Sequence, residues 1–124
     1  MLPNFLLEET TVRESGESAI FDLGDDANQN LLVTLGITHA VEQESIDVDI
    51  FGSPNLQDWT PKPILSFTQK FYCGTYQMIL PRSSNRYLKA VWRVNRWGRG
   101  DLKPFFRVYL FAQTARMRAM AGAA

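Results

Sequence analysis

Apolar residues in this chain recur at every second position, and Gly, Pro, Asn and Asp interrupt the runs at short intervals. Successive side chains of a strand point to opposite faces, so a period of two marks half-buried β-strands, and a period near 3.6 would mark helices. "LLVTLGITHA" (31–40) places Val33, Leu35 and Ile37 on one face, and "SIDVDIFG" (45–52) turns Ile46, Val48 and Ile50 inward. Seven or eight such segments with no helix between them predict an all-β, antiparallel β-sandwich of the jelly-roll or immunoglobulin-like kind.

The remaining segments fit that expectation. "SAIFDL" (18–23) is a short strand before the Asx-rich loop "GDDANQN", and "VEQES" (41–45) is a polar turn. The proline-rich "GSPNLQDWTPKP" (52–63) reads as a surface loop, because Pro, Gly, Asn and Asp each favour turn geometry for their own reason. "ILSFTQKFY" and "GTYQMIL" flank Cys73 and Gly74 as two strands or one bent strand. "PRSSN" (81–85) precedes two long strands, "RYLKAVWRVNRW" and "PFFRVYLFAQ", joined by "GRGDLK". Residues 1–113 are expected to form the sandwich, and the Ala/Met/Arg-rich residues 114–124 a helix or loose tail.

A length of 124 residues suits one core, and 45% hydrophobic residues exclude general disorder. Cys73 is the only cysteine, so no intrachain disulfide forms, and with Phe71, Tyr72 and Tyr76 nearby it reads as a small buried hydrophobe. The start "MLPNFLLEETTVRE" lacks a basic leader and a cleavage site, and no run reaches the roughly 18 apolar residues of a membrane span. Cytoplasmic synthesis without a signal peptide is therefore expected. Net charge is zero but unevenly spread: residues 1–62 hold twelve acids and two bases, residues 63–124 eleven bases and one acid, giving −10 and +10. Such a division fits acidic and basic strands paired within one sheet, or opposite surfaces meeting between copies.

The densest signal is "YLKAVWRVNRWGRG" (87–100). Folded as a hairpin with the following strand, it sets Leu88, Ala90, Trp92 and Val94 against Ala112, Leu110, Val108 and Phe106, one coherent apolar layer. The reverse face then carries Arg93 opposite Arg107, with Trp97, Phe105, Tyr109 and Phe111 around them. Facing arginines repel, so an acidic or aromatic group is expected between them. Asp47 and Asp49, on one face of their strand, are candidates within the chain. An external protein covering these rings is the other, since aromatics and Arg dominate interface cores.

Catalytic and metal chemistry find little footing. The single histidine, His39, shares strand parity with Val33, Leu35 and Ile37 and does not make Cys73 a nucleophile; one Cys and one His fall short of a zinc site. "DDANQN" lacks the Gly and the acid that a calcium loop needs at its sixth and twelfth positions, and an Asx-rich turn accounts for it better. Asp47 and Asp49 at i, i+2 give no reason for one to act as a high-pKa acid. No phosphate-binding or nucleophile-elbow motif occurs, and "RGD" (99–101) reads as turn chemistry. No cofactor and no catalytic residue is expected. The basic C-terminal half suggests nucleic acid, but zero net charge and arginines alternating between two faces argue against it.

"RYLKAVWRV", a turn and "PFFRVYLFA" resemble the ending of small phage and virion-associated β-sandwich proteins, such as head-decoration proteins, over about a third of the chain. That resemblance implies an assembly role without catalysis, in a virion or other particle. "GSPNLQDW" is similar to the serine, turn, Asp, Trp loop of extracellular β-sandwich modules. Two expectations follow: a non-enzymatic, self-associating or particle-bound protein using Arg93, Trp97, Phe105, Arg107, Tyr109 and Phe111, or a carbohydrate-binding module stacking sugars on Trp59 and Trp97 with Tyr76 or Tyr87.

Overall fold

Strands with one apolar face need a second apolar layer, and this chain supplies it by folding one long antiparallel hairpin over on itself. The computed structural model describes residues 2–98 and 103–115. Among them run β1 (Asn4–Val12), β2 (Gly16–Glu17), β3 (Phe21–Asp22), β4 (Leu31–Ala40), β5 (Glu44–Ser53), β6 (Leu65–Lys70), β7 (Gly74–Leu80), β8 (Tyr87–Arg96) and β9 (Phe106–Thr114). A single 3-10 turn, Gly24–Asp26, is the one helical element there.

The pairings nest. β1 pairs with β9, β2 and β3 with β8, β4 with β7, and β5 with β6, all antiparallel. The proline-rich loop 54–63 is thus the bend of the long hairpin. Rolling the hairpin up adds β4 beside β9 and β5 beside β8. The first sheet then runs β1-β9-β4-β7 and the second β2-β8-β5-β6, with β3 also on β8. An all-β antiparallel sandwich is what the alternation requires, and this connectivity is the jelly roll, not the immunoglobulin arrangement.

The expected β8–β9 hairpin does not form. β8 lies in the second sheet beside β5, and β9 in the first sheet between β1 and β4. In a nested hairpin each strand finds its partner on the opposite limb, so these sequence neighbours take different sheets. Their apolar faces are nevertheless the expected ones. Leu88 and Ala90 face Phe106, Val108, Leu110 and Ala112 across the core, joined by Val33, Leu35, Ile37, Ile46, Val48, Ile50 and Phe67. Each large aliphatic side chain so buried contributes about 1.5–3 kcal/mol.

The chain breaks its own alternation in a few places. Of the expected 18–23 strand only β3 forms, and β2 precedes it; serine hydroxyls tack this stretch to β8, Ala90 N–H donating to Ser18 Oγ at 2.9 Å and Val94 N–H to Ser15 Oγ at 3.1 Å. A register shift after Ile37 turns His39 outward, opposite Arg107, and returns Ala40 to the inner side opposite Phe106. Glu44, 1% exposed, accepts the backbone N–H groups of Val41 at 2.8 Å and Phe105 at 2.7 Å. Those two bonds tie the β4–β5 turn to the start of β9 and satisfy a carboxylate that burial would otherwise penalise.

Candidate interaction surface

The six residues expected on one hairpin face lie on two sheets. Arg93 stands on the outer face of the second sheet, opposite Asp47, and its guanidinium reaches Asp49 at 2.8 Å and Asp47 at 3.8 Å. The hydrogen bond to Asp49, reinforced by the charges of Asp49 and Asp47, raises the Arg93 pKa further above its ordinary value. The in-chain partners proposed for Arg93 are therefore present. Arg107, on the outer face of the first sheet, pairs instead with Glu9 and donates to Thr11 Oγ1 at 3.2 Å.

Tyr109 and Phe111 share that first outer face with Phe5 of β1. Phe5 meets Phe111 at 5.0 Å and Tyr109 at 5.9 Å, both edge to face, a geometry the ring quadrupoles favour. Gly36 of β4 makes the cluster possible: a Cβ there would overlap the Tyr109 ring, so the bare backbone is the seat on which the ring lies. With Thr34, Thr75, Gln77, Gln113 and Glu9 these rings line a shallow groove of about 480 Å³. Phe105 stands below β9, capped by His39 at 5.1 Å and by Arg13 at 5.5 Å.

A second apolar surface lies on the side of the sandwich formed by β6 and β7. Phe71 and Tyr72, the latter 78% exposed, lie in the turn between these strands, and Trp97 packs edge-on against Phe71 at 6.2 Å. Three of the seven large apolar side chains that are exposed among the described residues gather here, Tyr72 and Trp97 each 6.2 Å from Phe71. Sequence reasoning named only Trp97. The missed signal is the turn itself, in which two aromatics occupy positions that usually hold Gly, Asn or Asp. Cys73 is exposed in the same turn, contrary to its reading as a buried hydrophobe, because the β6–β7 turn crosses from one sheet to the other outside the core.

The sugar platform expected at Trp59 and Trp97 is not assembled. Trp59 is half-buried, with the Lys89 ammonium 4.7 Å over its ring. Trp97, just past the end of β8, packs instead against Phe71 at 6.2 Å. Trp92, expected in the core, is half-buried at the seam between the sheets, where its Nε1–H donates to the Glu14 carbonyl at 2.9 Å.

Other polar clusters are occupied structurally. Asp26 accepts the Leu2 N–H at 2.7 Å, and Asn30 accepts that of Arg82 at 2.8 Å, so the Asx-rich loop fastens neighbouring segments. All five ion pairs found among the described residues join an acid of the first half to a base of the second: Asp22–Arg86, Glu17–Lys89, Asp47–Arg93, Asp49–Arg93 and Glu9–Arg107. Among the described residues no helix is long and apolar enough to cross a membrane. "RGD" and the tail beyond Ala115 lie outside the described residues. In comparison with known proteins, no family model matches the chain and no curated protein matches it.

Proposed function

We propose that this protein is a non-enzymatic assembly module that associates with copies of itself or with a larger particle of the virion type. The observation that carries the reading is the gathering of the exposed rings Phe71, Tyr72 and Trp97, with Tyr72 and Trp97 each 6.2 Å from Phe71. Contiguous exposed apolar surface of this kind marks protein contacts on soluble domains. Jelly rolls serve in capsids and in lectins alike, so the fold itself does not choose between partners. We read the association as apolar in character, since Arg86, Lys89, Arg93 and Arg107 already pair with acids of the same chain. An oligomer held by apolar contacts persists in 1 M salt. Size-exclusion chromatography with light scattering tests this: oligomers at micromolar concentration that dissociate with Tyr72→Lys support it. A monomer at every concentration and salt ends the self-associating form of this reading.

A carbohydrate-binding reading finds a different site from the one expected. The groove on the first sheet's outer face combines Phe5, Tyr109 and Phe111 with neutral Thr34, Thr75, Gln77 and Gln113, the mixture of rings and hydrogen-bonding groups that holds a sugar. A glycan array separates the readings: hits abolished by Tyr109→Ala and unaffected by Tyr72→Lys favour the sugar, and an array without hits removes it.

A further inference from the structure

An open β-sheet edge presents unpaired N–H and C=O groups to any strand that fits, and proteins block such edges with charge, proline, bulges or brevity. The two sheets of this sandwich have four edges, and three are blocked. β1 shifts register twice against β9 and carries Glu8 and Glu9. β2 and β3 have two residues each. β6 shifts register against β5, ends in Lys70, and follows Pro61 and Pro63. Within its own span β7 has none of these devices, with Pro81 following it and the Lys70 ammonium 4.4 Å over its Tyr76 ring. Its seven residues, GTYQMIL, pair with β4 in unbroken register from Leu31↔Leu80 to Ile37↔Gly74, and contain no charge and no proline.

We infer that β7 pairs antiparallel with β7 of a second copy, about a two-fold axis at Gln77, joining two four-stranded sheets into one of eight. The inference rests on the self-association proposed above and specifies its geometry. Gln77 is the midpoint of the strand, so the axis sets Gln77 against Gln77, Tyr76 of one copy against Met78 of the other, and Thr75 against Ile79. Every opposed pair is neutral, so a strand meeting its own copy brings no like charges together, which a foreign strand of unspecified charge does not guarantee. Met78 supplies a second observation. It pairs with the core residue Val33 and so points to the inner side, yet at this outermost strand of the sheet it is 39% exposed. A second β7 covers it.

The experiment uses the full chain. Gln77 is exposed, so Gln77→Lys leaves the fold intact while setting two ammonium groups face to face on the axis. It is expected to raise the dimer dissociation constant by about tenfold or more, with an unchanged circular dichroism spectrum. Gln113→Lys, on the same outer face but on β9, is expected to leave the dimer unaltered. Independently, Gln77→Cys in a Cys73→Ser background is expected to cross-link into a dimer under mild oxidation with copper phenanthroline. If the wild type associates and Tyr72→Lys breaks the association, while Gln77→Lys has no effect and Gln77→Cys does not cross-link, β7 pairing is overturned and self-association stands. If the wild type is monomeric throughout, both fall, and the β7 edge is left for another protein's strand.

Discussion

The outer faces of the two sheets are held by different physics. On the second sheet, Arg93 bridges Asp47 and Asp49, Lys89 meets Glu17, and Arg86 forks onto Asp22 at 2.8 and 3.0 Å. On the first, one ion pair, Glu9–Arg107, borders a cluster of rings fitted over a glycine. One face is stitched by charge and content in water; the other is shaped by packing and leaves apolar surface to be covered. The nested hairpin explains the division of charge as well. Its first limb is acidic and its second basic, so opposite-limb pairing sets acids beside bases where β1 meets β9, where β2 and β3 meet β8, and where β5 meets β8.

The largest expected break in this comparison comes from Gly36→Ala. The added methyl overlaps the Tyr109 ring and must displace it, at a cost of about 1–3 kcal/mol, seen as a lower urea midpoint with unchanged slope. In a Tyr109→Ala background the same substitution is expected to change sign. With the ring gone, alanine only reduces the freedom of the unfolded backbone and stabilises the strand by about 0.5–1 kcal/mol. A Gly36→Ala penalty of the same size in both backgrounds would show that the first face does not depend on this fit.

Which features were legible in the sequence follows from what periodicity encodes. The faces of β4, β5, β8 and β9 were readable, because alternation fixes which residues turn inward wherever the strand is placed. Pairing was not. Leu88, Ala90, Val108 and Leu110 form one apolar layer equally well side by side in a hairpin or opposed across a core, and only the roll of the whole chain selects the second. β1 was missed because its register shifts put Glu8 and Glu9 where alternation would place an apolar residue. Of the candidate site, the outward direction of Tyr109, Phe111 and Arg107 survives the change of topology, while Arg93 moves to the other sheet. Phe71, Tyr72 and Met78 went unnoticed because exposure at a turn or an edge is a property of the neighbours a residue lacks, and no local pattern records it.

Arg93→Ala tests the charged face and is expected to be milder, costing about 0.5–1 kcal/mol. Arg93 is 59% exposed at its side chain, so water already screens much of the attraction, but Asp49 beneath it is nearly buried and loses its counter-ion. The penalty should shrink in 1 M salt, where the Debye length falls to about 3 Å. The Gly36→Ala penalty should not. Equal salt dependence of the two would erase the distinction between the faces.

The smallest effect is expected at Asp22, and pH exposes it. Hydrogen bonds from the Arg86 guanidinium, and then from the Gly24 backbone N–H, hold this carboxyl below its ordinary value of 3.8. A carboxylate whose pKa is lower in the folded than in the unfolded chain favours folding at pH values above the unfolded one, and that contribution disappears as pH falls through the folded one. Asp22→Asn is therefore expected to lower the unfolding midpoint slightly at pH 7, and the gap between variant and wild type to close below pH 4. Both residues stand in water, so the gap at pH 7 should be narrower than that of Arg93→Ala, whose partner lies almost beneath the surface. A gap that widened on acidification would mean that Asp22 favours folding in its protonated form, and that Arg86 contributes to this edge of the charged face by packing on Tyr87 at 5.4 Å instead of by its charge.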